Sequence, residues 1–271
     1  MPYKLILCLL MFAGFDLRAQ NDSLAQLYNS GLENFNKGKY ETAIALFSKA
    51  LNLDSNNIPT IYCRALTYKM SEKYHEAELD FSKVISAEPK HYNAICDRGY
   101  CRTKQKKYSQ AIADFEMALT IDSSDLKIFM NIGNNYFLMG NYKTAMKEYD
   151  KVVRKDPKNI SALYNRANIN KYYENFREAI EDYTSIINIE PKNSSAYYDR
   201  GNIKKELKDY KGAIEDYTIA IKINPDYADA YLKRGSAKYD SGLKSEGCLD
   251  WTKANSYGNA GAKDLLKSFC H

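Results

Sequence analysis

The sequence is short of the residues that usually carry chemistry. Among 271 residues it has three histidines, one tryptophan and six prolines. His75, His91 and His271 stand in no cysteine, histidine or carboxylate motif with metal-ligand spacing, so no metal site is expected. There is no glycine-rich phosphate loop, no nucleophile elbow and no zincin helix. The chain therefore reads as a non-enzyme with no catalytic residue and no cofactor. No apolar run reaches the roughly 20 residues of a membrane-spanning helix, so no transmembrane segment is expected. The charge excess is small, 39 Lys and Arg against 34 Asp and Glu, and evenly spread, which argues against nucleic acid as a partner. What is abundant is apolar and aromatic: 45% of residues are hydrophobic and 24 are tyrosine, too much for a disordered chain.

The first segment reads as an address. Lys4 precedes an apolar run from Leu5 to Phe15, then Asp16-Leu17-Arg18-Ala19-Gln20. A basic start, a short apolar centre and a small residue before a polar stretch make residues 1–19 a secretory signal peptide, cut after Ala19. Leu17, three residues before the cut, is larger than the ideal small residue, and the bulky Leu7 argues against a lipid anchor at Cys8. The mature protein is thus expected to be exported, periplasmic or secreted.

A period of 34 organises the rest. Prolines 157, 191 and 225 are spaced by it, and Pro89 lies two periods before Pro157. Gly31, Ala65, Gly99, Gly133, Ala167, Gly201 and Gly235 form a second series. Alanines 43, 77, 111, 145, 179 and 213 form a third, each followed four residues later by Phe47, Phe81, Phe115, Tyr149, Tyr183 or Tyr217. In residues 194–227, Ala196, Tyr197, Gly201, Lys204 and Leu207 lie at helical spacing before a turn at Asp209-Tyr210. Ala213, Ile214, Tyr217, Ala220 and Ile221 then give a second helix closed by Asn224-Pro225. Small residues sit where two backbones approach, and proline ends the second helix. Each unit is a helical hairpin too small to bury its own apolar face, so neighbours must bury it.

The pattern resembles the tetratricopeptide repeat. Seven units fit residues 24–261, starting at Leu24, Ile58, Tyr92, Leu126, Ile160, Ser194 and Ala228. The family's tryptophan at position four is replaced throughout, by Leu27, Ile61, Ile95, Phe129, Leu163, Tyr197 and Tyr231. The resemblance implies an all-α fold, an α-solenoid built as a right-handed superhelix of antiparallel helix pairs. Ser23 with Gln26 reads as a capping box opening the first helix. The seventh unit departs from the pattern, with Lys244, Gly247 and Trp251 where an aromatic, alanine and an aromatic are usual. Beyond it, residues 262–271 complete a capping helix, with Ala262, Leu265, Leu266 and Phe269 on one face and Lys263, Asp264, Lys267 and Ser268 on the other. The stretch from Cys248 to Cys270 also resembles the C-terminal repeat of exported tetratricopeptide proteins of Bacteroidetes-type bacteria.

Arginine precedes the small residue in five units, at Arg64, Arg98, Arg166, Arg200 and Arg234. Sixteen residues later stand Asp80, Asp114, Asp182, Asp216 and Asp250. The other two units lose both identities together, with Ser30 and Leu46 in the first and Ile132 and Glu148 in the fourth. This joint loss points to a structural ion pair between the two helices of one repeat. Cys248 lies about nine residues before the turn near Tyr257 and Cys270 about 13 after it, heights that match on antiparallel helices. A Cys248–Cys270 disulfide is therefore expected in an oxidising compartment. Cys63, Cys96 and Cys101 read as packing residues, with a Cys63–Cys96 bond left open.

By resemblance, positions two, five, nine and twelve of each unit line a peptide-binding groove. The candidates are Tyr62, Tyr100, Asn131, Asn134, Tyr164, Asn165, Asn168, Lys171, Tyr198, Asn202 and Lys205, with Tyr28 at position five of the first unit. An amide ladder at Asn134, Asn168 and Asn202 could hold a peptide backbone, with simple hydration of an exposed face as the alternative. The lysine–asparagine clamp of chaperone-binding relatives is absent, since its basic position five is Tyr, Met or Cys in most units here. The resemblance implies an exported scaffold for a protein or peptide partner. A regulatory or substrate-recruiting subunit of an envelope enzyme on another chain, or a homo-oligomeric assembly protein, are the alternatives.

Overall fold

The computed structural model describes residues 19–270, so the expected signal peptide, but for Ala19, and Cys8 and His271 lie outside the described residues. The described residues form fifteen helices and no strand. They divide into two compact units, up to Ala145 and from Met146 onwards. The first holds α1 (Ala19–Asn36), α2 (Tyr40–Leu53), α3 (Ile58–Met70), α4 (Tyr74–Ala87), α5 (Tyr92–Lys104), α6 (Tyr108–Ile121) and α7 (Leu126–Leu138). The division falls within α8 (Tyr142–Lys155). The second unit continues with α9 (Ile160–Tyr172), α10 (Phe176–Ile189), α11 (Ser194–Glu206), α12 (Tyr210–Ile223), α13 (Ala228–Asp240), α14 (Lys244–Ser256) and α15 (Ala260–Phe269). Within each unit, helices pair in sequence and each pair packs on the next, the construction of an all-α solenoid.

Local signals place the helices. The residue before most first helices caps it: Asn57, Asn159 and Asn193 accept the backbone N–H of Thr60, Ala162 and Ala196, and His91 Nδ1 accepts that of Ala94. The turn inside each pair needs a left-handed residue. Glycine supplies it at Gly38, Gly140 and Gly242, whereas Glu72, Lys106, Glu174 and Lys208 adopt it at a cost of about 1 kcal/mol each. The first helix differs from expectation. It already runs at Ala19, so Ser23 lies inside it rather than at its cap.

The cores form between pairs. In the first unit Phe81, Val84, Ile95 and Phe115 are buried together, and in the second Tyr183, Ile186 and Ile203. Each such side chain contributes about 1.5–3 kcal/mol by leaving water. At the last pair the backbones come closer. A methyl group at Gly235 would lie 2.9 Å from the Gly247 carbonyl oxygen, and one at Gly247 would lie 2.7 Å from the Gly235 oxygen. Trp251 fills the space beside them and donates Nε1–H to the Leu232 carbonyl at 3.2 Å. The capping helix α15 buries Ala262 and turns Lys263, Asp264, Lys267 and Ser268 to solvent. Cys248 and Cys270 form a disulfide, Cα atoms 5.8 Å apart, which ties α14 to the end of α15. Closing a loop of this size stabilises by about 3 kcal/mol in the chain-entropy view. Cys63, Cys96 and Cys101 form no disulfide, so the Cys63–Cys96 bond is not made.

Five arginines hold the pairs in register. Arg200 forks onto Asp216, Nε to Oδ2 at 2.9 Å and Nη2 to Oδ1 at 2.7 Å. Arg64 does the same with Asp80, Arg98 with Asp114, Arg166 with Asp182 and Arg234 with Asp250. The remaining Nη1 reaches back to the second helix of the preceding repeat. It meets Ser48, Ser82, Asp150, Thr184 and Thr218 in turn, at 3.1, 3.2, 2.8, 2.9 and 3.1 Å. The hydrogen bond to Asp182 holds the Arg166 guanidinium above its ordinary value, against the burial that would lower it. A second cation supports the same carboxylate in four repeats: Lys83 on Asp80, Arg102 on Asp114, Lys204 on Asp216 and Lys238 on Asp250. Where the arginine is missing, Ile132 joins the apolar core, and Glu148 pairs within its own helix with Lys151.

Glu78 ties the second and third repeats. It accepts from Arg102 at 2.9 Å, from Lys107 at 2.7 Å and from Gln105 at 2.9 Å. Burial alone would raise its carboxyl, but these donors outweigh it and hold it at about 2, below its ordinary 4.5. A depressed carboxylate contributes stability that is complete above the unfolded value and lost as pH falls toward the folded one. The Tm difference between wild type and Glu78→Gln should therefore be constant above about pH 5 and shrink steadily as pH falls toward about 2. Thermal melts followed by circular dichroism measure it, and a difference that does not change with pH would contradict the assignment.

Candidate functional site

First helices carry the candidate binding residues. In the first unit the expected positions are largely committed to structure. Tyr28 is buried, with its hydroxyl 3.4 Å from Cys63 Sγ, so it does not line an open surface as expected. Tyr62 is half-buried, its ring 4.7 Å from that of His91 and 5.9 Å from Phe81. Asn131 and Asn134 are half-buried on α7, and the Asn131 carbonyl accepts the Asn135 amide at 2.8 Å. Tyr100 is exposed, packed edge-on against Tyr74 with Lys104 Nζ 5.3 Å from its ring. Burial pushes the Cys96 thiol up to about 11 and the Cys101 thiol up to about 12, so neither is a thiolate near neutral pH. Among the described residues no group of side chains is arranged to hold a metal ion.

The second unit brings its candidates together. Tyr164 on α9 donates its hydroxyl to Asp199 on α11 and packs edge-on against Tyr183 at 5.5 Å. Tyr198 on α11 lies 5.0 Å from Tyr227, at the entry to α13, and 5.9 Å from Tyr217. Lys205 reaches Asp240 at the end of α13, at 3.0 Å. Lys171 on α9 is half-buried and makes no ion pair among the described residues. Asn165 lies beside the buried Tyr149 hydroxyl. Burial raises the Tyr164 hydroxyl above its ordinary value, with the Asp199 bond adding to it, and pushes Tyr227 up to about 12. These tyrosines are neutral hydrogen-bonding groups at any physiological pH. Three successive first helices are thus joined by aromatic and polar contacts on one side.

Two members of the expected amide ladder already hold partners within their own repeats. Tyr183 donates its hydroxyl to Asn168 Oδ1 at 2.8 Å, and Tyr217 donates to Asn202 Oδ1 at 2.9 Å. Each asparagine therefore satisfies the buried hydroxyl of its own repeat's second helix. Asn202 also lies in hydrogen-bond contact with Tyr198. The sequence carries a signal for this at a spacing of fifteen. Asn134, Asn168 and Asn202 accompany Tyr149, Tyr183 and Tyr217, whereas Leu32 and Leu66 accompany Phe47 and Phe81. The last repeat varies the theme, with Trp251 Nε1–H also directed at Ser236 Oγ, 3.3 Å away. Asp199 and Tyr227 were not among the expected residues, since a single carboxylate or tyrosine on a helix face gives no signal of its own.

The pairing has a measurable consequence. Asn202→Ala strands the Tyr217 hydroxyl and should cost about 1–3 kcal/mol in urea denaturation. The double change Asn202→Leu with Tyr217→Phe, the combination already present at Leu66 and Phe81, should lie within about 1 kcal/mol of wild type. Equal losses from the two variants would contradict the pairing.

Comparison with known proteins places this geometry in a family. A family model described as TPR repeat matches residues 133–171 and 201–242, and one described as tetratricopeptide repeat matches residues 27–57. A search of curated proteins finds no match. Among solved structures, the C-terminal part of a TPR repeat-containing protein from Cytophaga hutchinsonii is 20% identical, covers 88% of this chain and 99% of its own, and has a TM-score of 0.78. A tetratricopeptide repeat protein from Parabacteroides merdae is 20% identical over 92% of this chain and all of its own, with a TM-score of 0.65. YrrB, described as a TPR protein with an unusual peptide-binding site, is 18% identical over 68% of this chain and 95% of its own, with a TM-score of 0.56. At these identities the likeness is one of fold.

Proposed function

The chain is a tetratricopeptide repeat protein, and on that premise we propose that it is a non-catalytic scaffold that binds a protein or peptide partner. The binding face is the joined surface of α9, α11 and α13 in the second unit. One observation carries this reading: Tyr164 is tied through its hydroxyl to Asp199 on α11, and Tyr198 beside it packs on Tyr227 at the entry to α13, with Lys171 on the first of these helices making no ion pair among the described residues. Rigid aromatic side chains with a polar edge provide contact area at little entropic cost, which suits recognition of an extended or helical segment. The unusual peptide-binding site of YrrB is in keeping with the same use of the fold.

The revised view of the asparagines narrows the chemistry. Asn168 and Asn202 spend their oxygens on Tyr183 and Tyr217, so what they offer a ligand is their N–H side. The partner is then gripped through aromatic and apolar contacts and through acceptors such as peptide carbonyls. Export to the cell envelope or beyond belongs to the same reading. It draws support from the signal-like residues 1–19 and from the Cys248–Cys270 bond, which persists in oxidising compartments.

Panning a displayed peptide library on the mature chain tests the binding face. Peptides enriched on wild type should lose at least about tenfold in affinity against Lys171→Glu and against Tyr164→Phe, about 1.4 kcal/mol each. Enriched peptides that bind both variants as well as wild type would place the binding surface elsewhere.

A further inference from the structure

The four turns that join the helices of each pair in the first unit lie along one edge, linked by contacts from one to the next. Lys73 Nζ meets Glu41 at 2.8 Å, and Gln105 Nε2 donates to the Tyr74 carbonyl at 3.1 Å. Lys106, Lys107 and Met139 line a shared shallow recess. Residues 35–41, 69–75, 103–109 and 137–143 of these turns contain eight lysines and two glutamates, Glu41 and Glu72. The opposite turns, 53–57, 87–91 and 121–125, hold four acidic residues and one lysine. The unit is therefore polarised edge to edge. Lys37, Lys69, Lys73 and Lys107 are matched by carboxylates, whereas Lys39, Lys104, Lys106 and Lys143 are exposed and make no ion pair among the described residues.

Apolar side chains sit among these lysines. Phe137, Leu138 and Met139 are consecutive and 40%, 52% and 47% exposed, and Met70 is 44% exposed. These three neighbouring apolar residues leave about half of their surface in water, with Phe137 packed on Tyr142 at 5.1 Å. The tips stand clear of the chain, since a methyl group built at Gly38 or Gly140 would meet no atom within 4 Å. A row of turns carrying unpaired lysines and half-exposed apolar side chains suits a flat, anionic, partly apolar surface.

We propose that this edge docks on an anionic lipid membrane. Leu138, Met139 and Phe137 enter the headgroup region, while Lys39, Lys104, Lys106 and Lys143 face the lipid charges. None of these residues belongs to the face assigned to the partner.

Sedimentation of the mature chain with lipid vesicles tests the proposal. Binding is expected to vesicles containing phosphatidylglycerol, to weaken as salt rises, and to be absent with phosphatidylcholine alone. Each lysine is worth about fivefold in partitioning, so Lys104→Glu with Lys106→Glu should reduce binding by at least about 25-fold. Leu138→Ser with Met139→Ser should reduce it at unchanged charge. Lys90→Glu, on the opposite edge, should leave it unaltered. All of these positions are exposed, and circular dichroism checks that the variants are folded. Failure to bind phosphatidylglycerol vesicles, or binding that survives both double changes, overturns the proposal. That holds also if the edge instead captures an acidic peptide.

Discussion

Packing similar hairpins side by side leaves one recurrent weakness, the seam where a pair meets its neighbour, and in five repeats an arginine bridges that seam. Its guanidinium has five hydrogens in a rigid fork. Two N–H groups close onto the aspartate of its own pair, and a third reaches the preceding pair, as when Arg200 binds Asp216 and Thr184. The aspartates are almost completely buried; Asp216 keeps only 3% of its side-chain exposure. Such a carboxylate without its cation would cost about 3–5 kcal/mol, so the apolar packing of small residues and aromatics is held to the register in which the fork closes. The chain departs from this device at Ile132, which joins the apolar core, and there the Tyr92 and Thr103 hydroxyls donate to Asp125 and Asn135 across the seam at 2.7 and 3.0 Å.

The two polar systems divide the labour between stability and recognition. On one side of the first helices, arginines and aspartates lock pair to pair. On the other, tyrosine hydroxyls lock the amides of Asn168 and Asn202 and the carboxylate of Asp199. A surface built this way presents fixed donors and rings without having to order them when a partner arrives. The disulfide and the packing around Trp251 hold α15 over the apolar face of the last pair.

The fold was legible because it repeats. Helix starts at Ile58, Tyr92, Leu126, Ile160, Ser194 and Ala228 follow from a register that small residues, aromatics and prolines all mark. Where repetition ends, reading was poorer. Ser23 resembles a cap, yet the first helix already runs at Ala19. The third arm of the arginine was hidden because its partners alternate between Ser, Thr and Asp, residues common on any exposed face. The tyrosine partners of the asparagines were hidden for a different reason. Considered alone, exposed amides suggest a ligand, whereas the tyrosine that uses each one lies fifteen residues on, in the other helix. The basic edge was invisible as well, since its lysines come from four separate turns and the overall charge is close to balanced.

Native-state hydrogen exchange on Arg200→Met tests the central role of the arginine most directly. If the fork joins neighbouring pairs, amides of α10, which carries Thr184, lose protection together with those of α11 and α12. Loss of protection confined to α11 and α12, with α10 as slow as in wild type, would show that the arginine serves only its own pair.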